Sequence, residues 1–207
     1  MRLKNVKDAD KAIEKCDLVI KNPKSYKGKY KKIFGNNNPI HLEIGMGKGN
    51  FIINMAKTFK NINFIGIEMY DSVMVRAVEK LKDDIPNLRF IKIDATNIEE
   101  IFDKEIDTLY LNFSDPWPKN RHEHRRLTNI RFLKRYDNIF KDKKIIVQKT
   151  DNRCFFEYSL KSLVDYNYKI DELSLDLHKS NILNIETEYE QKFSSQGYPI
   201  YMVKMIK

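Results

Sequence analysis

The feature of this sequence that most constrains the fold is a glycine-rich turn between a short apolar strand and a helix. Residues 40–44 are predicted to form the strand, and residues 50–59 have the apolar spacing of a helix. The next predicted strand, residues 63–67, is followed directly by Glu68. The turn contains three glycines at alternate positions, Gly45, Gly47 and Gly49. A strand, a glycine turn, a helix and a strand with an acidic end form the crossover unit of an open, parallel α/β sheet.

The rest of the sequence continues the alternation of strands and helices. Further strands are predicted at residues 88–93, 107–113, 144–148, 168–177 and 200–206. Further helices are predicted at residues 73–81, 127–140 and 154–165, and none between the last two strands. We therefore predict an α/β, Rossmann-like fold: a seven-stranded, mostly parallel sheet with helices on both faces and an antiparallel edge strand.

The residues before this alternation differ from the rest in composition. Residues 1–38 are rich in lysine and are predicted to form a basic N-terminal arm. Within it, residues 9–20 are predicted to include a short helix, and residues 22–38 a loop broken by proline and glycine. A single domain is then predicted over residues 39–207, a length that supports one hydrophobic core.

The composition also narrows the class of protein. No apolar run is as long as a membrane span, and the charged N-terminus lacks the apolar segment of a signal peptide. Cys16 and Cys154 form no CxxC pair, which predicts a reduced, cytoplasmic compartment without a disulfide or a metal site. The net charge of +9 favours a polyanionic partner such as RNA, although a generally lysine-rich composition would give the same charge.

The glycine turn is compatible with two kinds of cofactor. Dinucleotide-binding turns have the pattern GxGxxG and hold a pyrophosphate, whereas this turn is GxGxG and follows Glu43. A carboxylate there repels a pyrophosphate but attracts the ammonium and sulfonium groups of S-adenosyl-L-methionine. The pattern favours this methyl donor, with Glu68 on the ribose hydroxyls and Asp94 at the adenine edge. The alternative is that Glu43 caps a turn and the glycines only pack.

A long, irregular motif follows the fourth predicted strand, and several shorter motifs accompany it. Residues 113–126 read FSDPWPKNRHEHRR. The shorter motifs are EIGMGKG at 43–49, GIE at 66–68, KTDN at 149–152 and TEYE at 187–190. With these motifs the chain resembles the bacterial tRNA (guanine-N7-)-methyltransferases over residues 36–207. It departs from the family pattern mainly in the lysine-heavy arm and at Met46, where relatives often carry a small residue.

The resemblance implies a class I, S-adenosylmethionine-dependent enzyme that acts on tRNA in the cytoplasm as a monomer or homodimer. It implies methylation of N7 of guanine at position 46 in the variable loop, which yields 7-methylguanosine and S-adenosyl-L-homocysteine. The implied donor contacts are the glycine turn with Glu43, Glu68, Asp94 and Asp115, the last of these also catalytic. The implied substrate contacts are Lys119, Asp151, Thr187, Glu188, Tyr189 and Glu190. The implied RNA contacts are Arg121, His122, Glu123, His124, Arg125 and Arg126.

Two patterns in the residues themselves agree with this interpretation. Five acidic residues fall at the ends of predicted strands, so a parallel sheet places them at the edge where ligands bind in open α/β folds. These residues are Glu43, Glu68, Asp94, Asp115 and Asp151. Residues 119–135 contain seven Lys or Arg and one acid, which suits phosphate contact, with a solvated helix start as the alternative.

Three further side chains near this basic run could have a special role. Trp117 would either stack on a base or wedge the loop against the core. His122 and His124 are not expected to bind a metal, because the neighbouring arginines repel a cation and no third ligand is spaced to join them.

The chemistry implied for the site is simple. Because N7 of guanine has a lone pair and no proton, an in-line methyl transfer needs alignment rather than a general base. Asp115 would then either hold the guanine edge or position the donor. The rival hypotheses are a methyltransferase for another RNA, a protein or a small molecule, and a non-catalytic RNA-binding module. A nicotinamide oxidoreductase is disfavoured by the turn pattern.

Overall fold

The computed structural model describes residues 6–82 and 84–207, which form seven strands and seven α-helices. The strands are β1 (Ile40–Ile44), β2 (Asn63–Glu68), β3 (Leu88–Lys92), β4 (Ile106–Asn112), β5 (Phe140–Thr150), β6 (Lys169–Ser174) and β7 (Tyr201–Ile206). The helices are α1 (Ala9–Lys15), α2 (Tyr30–Phe34), α3 (Asn50–Thr58), α4 (Asp71–Val78), α5 (Ile130–Ile139), α6 (Arg153–Asp165) and α7 (Glu188–Ser194). Short 3-10 turns lie at 23–26, 95–100, 120–125 and 177–179.

All seven strands belong to one sheet, in the order β3-β2-β1-β4-β5-β7-β6. Strands β1 to β5 pair in parallel, and β7 is antiparallel to both of its neighbours. The predicted fold is confirmed: β6 and β7 form the antiparallel pair at the edge, with β6 outermost and β7 one place in. The reason is composition, because β7 is largely buried whereas five of the six residues of β6 are exposed. Charged residues are tolerated on an edge strand.

Two hydrophobic layers cover the two faces of the sheet. On one face, α5 and α6 pack against alternate residues such as Leu42 and Ile65. On the other face, α3 and α4 pack against the intervening residues, such as Phe64 and Tyr110. This alternation follows from the two-residue period of a strand, and it leaves the ends of the strands free to form a site.

The order of the strands determines where that site lies. From β1 the chain crosses to β2 and then β3 on one side of the sheet, and afterwards returns to β4 and β5 on the other side. The carboxyl ends of β1 and β4 therefore flank a crevice from which the connections diverge. Ligands bind at such a switch point in open α/β sheets.

Parts of the predicted secondary structure are wrong. Residues 22–38 do not form only a loop, because they contain α2 and a 3-10 turn, and Tyr30 is fully buried with its backbone N–H donated to Glu105. A helix, α7, does lie between the last two strands. The helix predicted from residue 127 begins at Ile130, where the Asn129 side chain caps it. The proposed boundary between an arm and a domain at residue 38 stays a prediction.

Among the described residues, none of the helices has the length and apolar character needed to cross a membrane. No three His, Cys, Asp or Glu side chains in residues 6–82 and 84–207 are grouped as a metal site.

Candidate active site

The glycine turn connects β1 to α3 at the carboxyl end of the sheet. Its first two N–H groups, from Gly45 and Met46, both donate to the carbonyl of Ile67 on β2. A methyl group added at Gly45 or at Gly47 would meet no atom within 4 Å, so the turn borders open space. Gly49 differs, because an added Cβ would lie 2.7 Å from the Cβ of Ala77 on α4. Two glycines therefore line a cleft, and the third allows α3 to pack closely on α4.

Glu68 ends β2 beside this turn. Its Oε2 accepts a hydrogen bond from the Gly47 N–H at 3.2 Å, and its Oε1 accepts from the N–H groups of Met69 and Tyr70 at 2.9 and 3.1 Å. Burial raises the pKa of this carboxyl, and the three backbone donors act against that shift. A carboxylate has about four acceptor positions, so one of them remains available to a ligand.

Glu43, on β1, is deeply buried, with 2% of its surface exposed. Its Oε1 accepts a hydrogen bond from the Asn112 side chain at 2.9 Å, and its Oε2 is buried without a partner. Burial raises its pKa to about 8, while the Asn112 hydrogen bond and the charge of Lys149 lower it. An unpartnered buried carboxylate oxygen calls for a ligand. A cationic donor such as S-adenosylmethionine fits this position and the open turn.

Asp94 and Asp115 follow β3 and β4 at the same edge. The Asp94 Oδ1 accepts from both the backbone N–H and the hydroxyl of Thr96 at 2.8 Å, so it caps the 3-10 turn that follows. Asp115 is exposed, and none of the described residues donates a hydrogen bond to its carboxylate. Its charge contributes to the raised pKa of Glu68, which places the two acids near each other.

The loop that carries Asp115 is held in an irregular shape by Arg126. The guanidinium donates to the carbonyl of Pro116 at 2.9 Å and to that of Trp117 at 3.0 Å, and it lies 4.1 Å from the centre of the Tyr158 ring. Phe113 and Trp117 both have positive φ, of 50° and 42°. The guanidinium of Arg126, a member of the basic run, thus fixes the shape of the loop. Because it is used within the chain, Arg126 is less free than its neighbours to reach RNA.

The other members of the basic run are more accessible. Arg121, Glu123 and Lys119 are exposed, and Arg125 is exposed with its guanidinium 4.8 Å from the centre of the Trp117 ring. His122 also lies beside that indole, at 6.0 Å between ring centres, and His124 is half-buried. Trp117 therefore belongs to a surface patch with Arg125 and His122, and it does not pack inside the hydrophobic core.

The segment between β6 and β7 folds over the same edge of the sheet; residues 177–194 are called the strap below. Thr187 caps α7 and forms a capping box with Glu190, so both side chains are used within the strap. Tyr189 reaches outward: its ring centre lies 5.0 Å from that of Phe113, and its hydroxyl lies 3.5 Å from Asp151. Glu188 pairs with Lys80, whose ammonium also donates to the Lys48 carbonyl in the glycine turn.

Sequence reasoning did not identify Lys149, which connects the two parts of this site. Lys149 lies one residue before the end of β5, is 4% exposed, and donates to Glu190 at 2.6 Å, to the Asn184 side chain at 3.0 Å and to the Ile185 carbonyl at 2.9 Å. The signal that was available is a lysine at the inner end of a buried strand, where a charge needs a partner.

A cavity of about 440 Å³ opens below the strap, on the sheet face that α3 partly covers. Its lining includes the polar side chains of Asn112 and Lys149 and several apolar residues, among them Phe51, Val147 and Ile185. The cavity thus extends from the strap to the ends of β4 and β5.

Comparison with known proteins establishes the class. Residues 37–203 match the model of the family described as "Putative methyltransferase". The 16S rRNA methyltransferase KamB superposes with a TM-score of 0.65 over 86% of this chain and 92% of its own, at 10% identity. An antibiotic-related methyltransferase superposes with a TM-score of 0.64 over 87% of this chain and 92% of its own, at 17% identity. At such identities the likeness shows the fold, and the family match makes the chain a methyltransferase of this Rossmann-like class.

Closer relatives define the family. The tRNA (guanine-N(7)-)-methyltransferase of Bacillus subtilis (strain 168) is 50% identical over 209 residues, which cover 99% of this chain and 98% of the relative. That of Listeria welshimeri is 51% identical over 208 residues, which cover 99% and 97%. The chain belongs to the tRNA (guanine-N(7)-)-methyltransferase family, and the resemblance found in its motifs is confirmed.

Proposed function

We propose that this chain transfers a methyl group from S-adenosyl-L-methionine to N7 of guanine 46 in the variable loop of tRNA. Family membership supports the reaction and the RNA substrate. The structural observation that carries the donor side is Glu43, a buried carboxylate with an unpartnered oxygen beside an open glycine turn. When bound, the donor supplies an electrophilic methyl group on a sulfonium. Because the substrate is tRNA, we place the reaction in the cytoplasm.

Three acids hold the donor in this proposal. Glu43 faces its positive charges, because the free oxygen is the one polar atom of that side chain without a partner. Glu68 accepts from the ribose with the acceptor position that the backbone leaves free. Asp94 keeps one carboxylate oxygen, Oδ2, for the adenine edge while the other caps a turn.

Asp115 holds the guanine. Its carboxylate is exposed at the switch point, has no donor among the described residues and lies in a loop fixed by Arg126. It can accept from N1–H and the exocyclic amine, which orients the base, and its charge stabilises the positive charge that develops on the purine. Because N7 carries no proton, alignment of the two reactants is the main contribution of the site.

The remaining contacts bind the RNA. Lys119, Arg121 and Arg125 present cations next to the Asp115 loop, and Asp151 with Tyr189 borders the base from the strap side. Arginine forks bind phosphate through paired hydrogen bonds, which suits a stretch that follows the tRNA backbone. Trp117, covered by Arg125, offers a ring for stacking at the mouth of the site.

The proposal is tested by mapping the modified base. The chain is incubated with donor and a tRNA transcript, and borohydride–aniline treatment then cleaves the RNA at 7-methylguanosine. We expect cleavage at position 46, and none in a matched transcript with adenine there. Methylation without cleavage would overturn the assignment to N7, and cleavage at another guanine would overturn the position. Absence of any thermal shift with S-adenosyl-L-homocysteine would favour a non-catalytic RNA-binding module.

A further inference from the structure

Lys149 joins the strap to the donor side of the site. Its ammonium makes three hydrogen bonds, all to the strap, and the strongest partner is Glu190, which is 0% exposed. Glu190 is in turn held by Asn184 at 2.5 Å and by His178 at 3.1 Å. Within residues 6–82 and 84–207, this ion pair is the most deeply buried one, at 4% and 0% side-chain exposure.

The same ammonium faces Glu43 across the strand ends. Asn112, which donates to Glu43, pairs with Lys149 in the register of β4 and β5, so the two side chains enter the same pocket. The lysine also lies 5.0 Å from the centre of the Phe51 ring on α3, which closes the pocket from the side. One cation is thus shared by a strap carboxylate and by the carboxylate that faces the donor.

We propose that Lys149 is a positioning residue, which anchors the strap through Glu190 and places a positive charge beside Glu43, the carboxylate that faces the cationic methyl donor. The inference rests on the proposed donor-binding role of Glu43. It departs from a direct substrate role for Glu190, since that side chain is enclosed by protein partners.

Several charged or titratable groups surround Glu43. They are Glu68 from β2, Tyr110 from β4, Lys149 from β5 and Glu188 from α7. Lys149 is the one cation among them, and the charge of Glu188 is offset by Lys80. Burial raises the pKa of Glu43 to about 8 even with the lysine present, so removal of that cation moves the pKa higher.

This arrangement makes donor binding depend on pH through the charge of Lys149. The donor binds to ionised Glu43, so its affinity rises with pH and levels off above the pKa of the free carboxyl. Lys149→Met removes the cation and moves the curve to higher pH by about one unit, which is about tenfold weaker binding near neutral pH. Glu190→Gln removes the carboxylate that most raises the pKa of the buried Lys149 ammonium, so the lysine loses part of its charge and the curve also moves to higher pH. A purely structural pair would lower affinity in both variants and at every pH.

The experiment is calorimetric titration of S-adenosyl-L-methionine into the full chain between pH 6 and pH 9. The matched control is Lys144→Met, which breaks another ion pair of β5, with Asp137 at 2.5 Å, and should leave the curve in place. The double variant Lys149→Met/Glu190→Gln removes both charges together. It covers the case in which Lys149→Met alone fails to fold, and its curve should also lie at higher pH than that of the wild type.

Equal weakening at all pH values in Lys149→Met and in the double variant would overturn the inference. So would a wild-type affinity that does not change with pH. A wild-type chain that binds no donor at any pH would instead overturn the proposed function, and with it the basis of this inference.

Discussion

The two halves of the sheet build their parts of the site in different ways. In the donor half, residues 40–94, Glu68 and Asp94 are fixed mainly by backbone groups close by in sequence, as in the contacts of Glu68 with Met69 and Tyr70. Glu43 is the exception, because its partner is the Asn112 side chain of β4. In the RNA half, residues 106–206, the site is fixed by side chains that are distant in sequence, as in the pair Lys149–Glu190. Backbone contacts hold one geometry, whereas side-chain ion pairs respond to the charges around them. We therefore expect the donor half to be rigid, whereas the geometry of the RNA half depends on the charges of its side chains.

The largest expected effect comes from the exposed acid at the boundary of the two halves. Asp115→Asn keeps the turn-forming shape but removes the charge and replaces an acceptor by a donor. We expect an unchanged melting temperature and a single-turnover rate at least about 100-fold lower, the scale for loss of one well-placed polar group. The matched control is Asp142→Asn, an exposed position on β5. Full activity of Asp115→Asn would make Asp115 structural and direct attention to Asp151.

A smaller effect is expected where the donor half binds the ribose. Glu68→Ala removes a charged acceptor and should weaken donor binding by about 1.5–3 kcal/mol. Three backbone N–H groups also lose their acceptor in this variant, so it should be less stable than the wild type. Calorimetric titration well below its melting temperature measures donor affinity on the folded variant and so separates the loss of affinity from the loss of stability. Glu79→Ala, on the exposed side of the same region, should leave affinity unchanged. Equal affinity in Glu68→Ala and the wild type would remove Glu68 from the donor site.

The rigidity of the donor half can be tested at its third glycine. Gly49→Ala puts a methyl group 2.7 Å from Ala77 at a φ of 79°. Gly197→Ala has a similar φ of 82° but open space around it. We expect Gly49→Ala to lose about 1–3 kcal/mol more free energy of unfolding than Gly197→Ala, the usual cost of overpacking. Equal losses in denaturant titrations would mean that the close packing of α3 on α4 contributes little.

The smallest effect is expected at single arginines of the RNA half. Arg121→Gln should reduce the slope of log affinity for tRNA against log salt by about 1, as for one neutralised phosphate. Arg126→Gln should instead lower stability, because Pro116 and Trp117 lose a charged donor. A slope unchanged in Arg121→Gln, measured by filter binding over a salt series, would place that side chain off the RNA.

The secondary structure of the donor half was predicted more accurately than that of the RNA half, because local contacts leave a pattern in the sequence and distant contacts do not. The bounds predicted for β1 agree with the structure, and the ends of β2 and β3 differ by one residue, because the apolar pattern and the following acid are local signals. The helix α7 was missed, although Thr187 and Glu190 have the spacing of a capping box. That motif was assigned to substrate contact, and its role within the chain was overlooked. The resemblance supplied the site residues, and their roles stay predictions.

Long-range contacts explain the remaining errors. Lys149 and Glu190 are 41 residues apart, and Lys80 and Glu188 are 108 apart, so no local pattern connects them. Tyr30 sits in a five-residue helix whose stability depends on contacts with Glu105 and Phe102 rather than on its own sequence. Short elements of this kind have little helical tendency alone, and tertiary packing decides their structure.

The position of β7 has a consequence for how the chain assembles during synthesis. Strand β6 is made first, yet within the described chain it pairs with no strand except β7. The donor half has all of its strands once residue 92 is made, whereas β6 stays unpaired until residues 201–206 emerge. The strap joins these two strands, so it too is secured only at that last step. A nascent chain therefore completes its donor half early and gains its RNA-binding side last, and loss of the final strand removes two strands from the sheet.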